Sequence, residues 1–226
     1  MRRTLRALGT LLLVSGVLTL AWVVVVWRWQ DPFTALYTHF KQEHLAHVYS
    51  ERAAAFHPQA ITHRDLASER ASMAADARAY ARTLHRGDPI GKITIGRIGL
   101  HMVVVQGTDH ESLKSGPGHY IDSGLPGEGK LIYIAGHRTT YLAPFSDIND
   151  IRVGDYVTLQ VPYGTFTYRV FRHYVVTDTD LAVLKNHGRE ILRLQACHPR
   201  FFATHRYIVD ARLAGFTPAG VTTAAS

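Results

Sequence analysis

Two stretches decide how this chain is read: Ile191-Leu192-Arg193-Leu194-Gln195-Ala196-Cys197-His198-Pro199 and Leu131-Ile132-Tyr133-Ile134-Ala135-Gly136-His137-Arg138-Thr139-Thr140. Each is a short run rich in Ile and Leu that finishes in a side chain able to do chemistry. A run of this length bounded by turn residues reads as a buried strand. A rigid strand delivers its last residue to the rim of a barrel, where a substrate reaches it. If the two strands are neighbours, His137 and Cys197 face each other.

That pairing has a chemical logic. The thiolate is the working nucleophile, and a free Cys has a pKa of about 8.5. A nearby imidazolium stabilises the thiolate and can later protonate a leaving amine. Attack on a carbonyl also needs a donor for the oxyanion. Arg206 follows Cys197 by nine residues, at the start of the next strand. A turn of that length can bring it beside the end of the strand before. Its guanidinium is always charged and offers five donors. Cys197 is the one cysteine in the chain, so no intramolecular disulfide forms and the thiol is a candidate reactive group. The plain alternative is a small buried hydrophobe.

The same strand-like texture spreads outward from these two runs. Lys92–Arg97, His101–Gln106, Tyr156–Val161, Thr165–Val176 and Arg206–Leu213 alternate or run in β-branched residues. Turn signals such as Pro162-Tyr163-Gly164 separate them. Short helical pieces are expected at Glu111–Ser115, Pro144–Asp150 and Asp180–Asn186, and Gly116-Pro117-Gly118 reads as a turn. Seven or eight short strands in this span predict an all-β barrel or sandwich. There is no repeat and no βαβ rhythm.

The N-terminal part differs. Ala7 to Trp27 runs 21 residues without a charge, enough to cross a bilayer core of about 30 Å. Arg2, Arg3 and Arg6 precede it, which places the N-terminus inside. Trp22, Trp27 and Trp29 crowd the far end as interfacial aromatics do. A cleaved signal peptide has a shorter apolar core and a small-x-small site, so an uncleaved anchor is expected. Phe33 to Arg86 reads as a helical stalk. Leu66, Met73, Ala77, Tyr80 and Leu84 share one helix face, with Thr62 or Asp65 as the cap at its start and Gly87 at its end. His39, His44, His47, His57 and His63 read as solvated or interfacial residues.

Charge and motif exclude several functions. The net charge is +7, yet from Asp88 to Leu213 there are 14 Lys/Arg against 12 Asp/Glu, so the excess sits near the anchor. No basic stripe interleaves with aromatics, and nucleic acid is not an expected partner. Cys197, His198 and His205 do not have zinc-site spacing, and no metal is expected. No phosphate loop opens a helix, and no Gly-x-Ser-x-Gly elbow occurs. Asp147, Asp150 and Asp155 read as turn and cap residues.

From about Gly91 to Leu213 the chain resembles the sortases, most closely class E and next class D. The motifs come in order: Ile93-Thr94-Ile95 and Ile98-Gly99-Leu100; Gly116-Pro117-Gly118-His119-Tyr120; Leu125-Pro126-Gly127-Glu128; Ala135-Gly136-His137-Arg138-Thr139-Thr140 with Pro144-Phe145; Val153-Gly154-Asp155; then Leu194, Cys197-His198-Pro199 and Arg206. Sortases usually carry Thr immediately before the Cys. Here it is Ala196, which bears on substrate preference and rate and leaves the three chemical groups in place.

The resemblance implies an eight-stranded sortase-type β-barrel with short helices, preceded by a transmembrane helix and stalk. Its expected limits are 1–6 cytoplasmic, 7–29 membrane anchor, 30–87 stalk, 88–214 catalytic domain outside the membrane and 215–226 tail. It implies His137 as general acid/base, Cys197 as nucleophile, Arg206 as oxyanion and substrate stabiliser, and Tyr120 as a wall of the substrate groove, with no cofactor. It implies cleavage of a Leu-Pro-x-Thr-Gly or Leu-Ala-x-Thr-Gly sorting signal on a secreted protein. A thioester would then be resolved by an amine from a cell-wall precursor or a pilin Lys. The competing readings are a hydrolytic cysteine peptidase of the same fold and a non-catalytic surface β-domain that binds peptides or assembles pili.

Overall fold

A computed structural model describes residues 2–29, 32–58 and 66–219. Eight strands close a barrel: β1 (Pro89–Ile95), β2 (Leu100–Gln106), β3 (Gly118–His119), β4 (Leu131–Ala135), β5 (Tyr156–Val161), β6 (Gly164–Thr177), β7 (Ile191–His198) and β8 (His205–Pro218). Their order around the wall is β1-β2-β3-β4-β7-β8-β6-β5. β4 and β7 are parallel neighbours, Leu131 opposite Ile191 and Ala135 opposite Gln195. β7 and β8 are antiparallel. The all-β expectation and the eight strands hold.

Alternation along the strands sorts the side chains. Ile132, Ile134, Leu192, Leu194, Ala196, Val209 and Ala211 point into the barrel and join its core. Leu131, Tyr133, Ala135, Ile191 and Ile208 point outward and form a second apolar cluster with Val183 and Tyr120. Strands apolar on both faces occur where both sides are covered. Here the loop between β6 and β7, which carries a 3-10 turn at Leu181–Leu184, covers the outer face. Each fully buried Ile, Leu or Phe contributes roughly 1.5–3 kcal/mol.

Local readings differ from the structure in four places. Gly118 reads from the sequence as the last residue of a turn; with His119 it instead forms β3, which bridges β2 and β4 and closes the barrel. The segment Pro144–Asp150 is helical only as a 3-10 turn at Ile148–Asp150, because Tyr141, Leu142 and Ala143 take positive φ just before it. β8 runs on to Pro218, past the expected end at Leu213, since Phe216 stacks on Phe166 at 6.2 Å. Gly87 is no helix cap. The helix ends at Ala81, and Gly87, with φ +85, turns the chain into β1, its N–H bonded to the Gln106 carbonyl.

Three helices precede the barrel: α1 (Arg2–Trp29), α2 (Pro32–Ala55) and α3 (Leu66–Ala81); α4 (His110–Ser115) follows β2. α1 is long and apolar enough to cross a membrane from Arg2 to Val25. Met73, Ala77 and Tyr80 of α3 are buried in the barrel core, as their shared face predicts, and Leu84 packs against it. α2 lies on the wall through Thr38, Gln42, Leu45 and Tyr49, a spacing of four, three and four. Gln42 accepts from the Val103 N–H at 2.7 Å and donates to the carbonyls of Val103 and Ser115. Tyr49 donates to the Gln160 carbonyl. His39, His44, His47 and His57 are exposed. The side chains of Trp27 and Trp29, the caps expected at Thr62 or Asp65, and His63 lie outside the described residues.

His119 fastens the β3 closure. It is fully buried; its Nε2 meets the Gly124 carbonyl at 2.9 Å and its Nδ1 meets the Gln106 side chain at 2.8 Å. Burial lowers its pKa to about 4. The unfolded chain, with an ordinary His near 6.5, therefore binds more protons between about pH 6.5 and 4. Stability is expected to fall as pH drops through that window, by about 3 kcal/mol in full. Urea melts from pH 7 to 4 should show a steeper loss for wild type than for His119→Gln. Equal slopes would remove the assignment.

Candidate active site

The Cys197–Arg206 juxtaposition follows from the hairpin register. The two residues are Cα partners across β7 and β8, and directly opposed residues present their side chains to the same face. Cys197, Gln195 and Arg193 alternate outward on β7, with Ile208 and Asp210 outward beside them on β8. The thiol therefore sits on the outer wall of the barrel, one residue before the end of β7, rather than at a strand tip. Cys197 is half-buried.

His137 lies two residues beyond β4. The ladder continues past Ala135, since the Gly136 N–H donates to the Gln195 carbonyl at 3.0 Å. Continuing the parallel register sets His137 level with Cys197 and on the same outward face as Tyr133 and Ala135. Gly136 makes room for the Phe145 ring, which a Cβ would approach to 2.6 Å. Phe145 folds back and donates its N–H to the His137 carbonyl at 3.0 Å.

The His137 ring rests on Tyr141 at 5.2 Å between centroids, and Tyr141 meets His110 edge-on at 6.5 Å. Among the described residues, His137 Nε2 is the one buried side-chain nitrogen or oxygen without a hydrogen-bond partner. Burial first, then the neighbouring His110, lower the imidazole's pKa from its ordinary value. Both disfavour the protonated imidazolium. A protonated His110 repels a proton on His137, so His110→Gln is expected to raise the His137 titration, with burial still keeping it below 6.5. Imidazole NMR titration of both proteins measures this; a downward shift in the variant would contradict it.

The Arg206 guanidinium is held by two carbonyls, Nη1 donating to Ala203 at 2.6 Å and to His205 at 2.9 Å. Nε and Nη2 make no hydrogen bond among the described residues. Ala203 and Phe201 both have positive φ, so the loop between β7 and β8 is wound tightly to present those carbonyls. Tyr120 belongs to the outer apolar cluster, edge-on to Tyr133 at 6.1 Å, and a hydrogen bond to Asp122 raises its phenol pKa. It lines the wall on the β4 side, on the same outer cluster as Ala135.

Sequence reasoning missed Arg138. It is buried, and Nη1 donates to the Cys197 carbonyl at 3.3 Å and meets His198 Nδ1 at 3.0 Å. Nε reaches the Ser146 carbonyl and Nη2 the Asn149 side chain. One guanidinium therefore ties the end of β7 to the loop after His137. Its place immediately after His137 was the only available signal, and a lone basic residue in a loop reads equally as a surface charge. A separate groove of about 450 Å³ lies between α2 and β1, β2 and β5, lined by Lys92, His101 and Thr158, and includes neither Cys197 nor His137.

Comparison with known proteins places the fold. A family model described as Sortase domain matches residues 93–214. Sortase D of Bacillus subtilis (strain 168) is 34% identical over 127 residues, covering 54% of this chain and 63% of that protein. The chain thus spans under two thirds of that relative's length. The structure of sortase E from Streptomyces avermitilis superimposes with a TM-score of 0.54 at 32% identity, covering 62% of this chain and 97% of that one. A Clostridium perfringens sortase D5 transpeptidase shares the fold, with a TM-score of 0.62 at 24% identity over 77% of this chain and 99% of that one. With an eight-stranded barrel of this topology and a family match over more than half its length, the chain belongs to the sortase family.

Proposed function

We propose that this protein is a membrane-anchored cysteine transpeptidase that cuts a Leu-Pro-x-Thr-Gly or Leu-Ala-x-Thr-Gly signal between Thr and Gly. The observation that carries the reading is the pairing of Cys197 with Arg206 on one outward face, with His137 two residues past the end of β4, the parallel neighbour of β7. The Cys197 thiolate attacks the Thr carbonyl. Nε and Nη2 of Arg206 remain to donate to the oxyanion, while Nη1 is held by the Ala203 and His205 carbonyls. His137 takes the Cys197 thiol proton as the thiolate forms and then delivers that proton to the departing Gly nitrogen, and its unpartnered Nε2 is the atom suited to both transfers. The resulting thioester passes its acyl group to an amine from a cell-wall precursor or a pilin Lys. Tyr120 walls the groove.

In this reading residues 1–6 are cytoplasmic, 7–29 span the bilayer, and 88–214 work outside it on secreted substrates, with the helices between linking the two. The apolar window of α1 and the three arginines at its start support that placement. Incubating the protein with a sorting-signal peptide and triglycine should yield the ligated product, with a thioester adduct visible by intact mass at short times. Release of free Thr carboxylate alone, at saturating amine, would favour the hydrolytic peptidase over the transpeptidase.

A further inference from the structure

α2 is tied to the catalytic rim at its first turns. Thr34 Oγ1 accepts from the Tyr141 N–H at 3.2 Å, and Tyr141 lies against His137. Thr38 Oγ1 donates to the Lys114 carbonyl on the same rim. Thr34 is five positions beyond Trp29, the end of α1. Even a fully extended link of that length reaches only about 18 Å. If α1 spans the bilayer, as the function proposed above assumes, the rim bearing His137 and Cys197 is held close to the lipid headgroups.

That rim is also where apolar side chains stand exposed. On α2, Thr38 faces the barrel, while Leu36 and Phe40, on the opposite face, are 56% and 62% exposed. Tyr37, 45% exposed, stands beside Phe40 on the helix surface, with Lys41 over its ring at 5.7 Å. In the loop after β7, Phe201 and Phe202 are 67% and 78% exposed. Leu181, in the loop after β6, is exposed too; that loop starts at the same level, since Thr177 pairs with His205. Exposed aromatic and aliphatic side chains beside a membrane span suit the headgroup–acyl boundary.

We propose that this rim docks on the outer surface of the bilayer: Leu36, Tyr37 and Phe40 on one side and Phe201 and Phe202 on the other enter the interface. The catalytic wall then stands at headgroup level. The area between α2 and the β7–β8 loop becomes the contact, and the rim at the opposite end of β4, near Lys130, faces away.

Nitroxide labels test this on the full chain in phosphatidylcholine/phosphatidylglycerol vesicles. In a Cys197→Ala background, single labels go on Phe202→Cys, Phe40→Cys, Val14→Cys and Lys130→Cys. The expected result is oxygen-accessible, nickel-chelate-protected labels at 202 and 40, a core-depth label at 14 and an aqueous label at 130. Aqueous labels at 202 and 40 with 14 at core depth would overturn the docking and leave the anchor standing. Label–label broadening at 202 or 40 would assign the patch to a second copy and equally overturn it. An aqueous label at 14 would remove the anchor, and this inference with it.

Discussion

Cys197→Ala is expected to lower peptide cleavage by roughly 10⁴-fold or more while the protein stays folded. The thiol is half-buried on the outer wall, and losing one sulfur there opens no cavity in the barrel core. Circular dichroism and the urea midpoint should therefore stay near wild type, while a fluorogenic sorting-signal peptide goes uncut and no thioester mass appears. The other two groups act in the same step. His137→Ala should cost about 10²–10⁴ through the lost general acid, and Arg206→Ala about 10²–10³ through the lost oxyanion donor. Double variants should lose little more than the worse single, because the three groups work as a unit. Cleavage at wild-type rate by Cys197→Ala would refute the proposed nucleophile.

The largest stability effect should come from Asp210→Ala. Asp210 is 0% exposed on β8, and Arg193 beside it on β7 is 2% exposed. Their contact is bidentate, Nε to Oδ1 at 2.6 Å and Nη2 to Oδ2 at 2.8 Å, and Arg172 adds a third bond at 2.8 Å. Removing the carboxylate strands a buried guanidinium, which costs about 3–5 kcal/mol. Replacing both partners, as Arg193→Met with Asp210→Leu, should recover most of that loss, since a well-packed apolar pair needs no desolvation of charge. Urea melts of wild type and the two variants check the order. A single variant as stable as wild type would mean Arg193 reaches solvent. Arg193 Nη1 also donates to the Val183 carbonyl at 2.5 Å. The same variant should therefore loosen the β6–β7 loop over the outer wall, seen as faster amide exchange near Val183.

β4 was legible because a strand covered on both faces needs an unbroken apolar run, and β7 because Leu192, Leu194 and Ala196 alternate onto its inward face; the reactive residue lies within two residues of the end of each. The face of Met73, Ala77 and Tyr80 was legible for a similar reason, since a helix packed on one side must repeat with its own period. Arg193 and Asp210 were not. Nothing in their neighbours announces that two charges on different strands will be sealed together under a loop. Two-residue β3 falls below the length at which any periodicity exists. Arg138 and Gln42 act through backbone atoms far away in the chain, which no local pattern encodes.

By itself, then, the amino-acid order determined the class of fold, the apolar N-terminal segment and the three chemical groups proposed to act, because each depends on local period, composition or motif. Tertiary structure alone decided that the thiol faces the outer wall and that Arg206 is its register partner. It also decided that α2 clasps the barrel and reaches the loop over His137. Those facts depend on strand register and on contacts between residues 60 to 110 positions apart, which become definite only when the closed barrel leaves each side chain a single face to occupy.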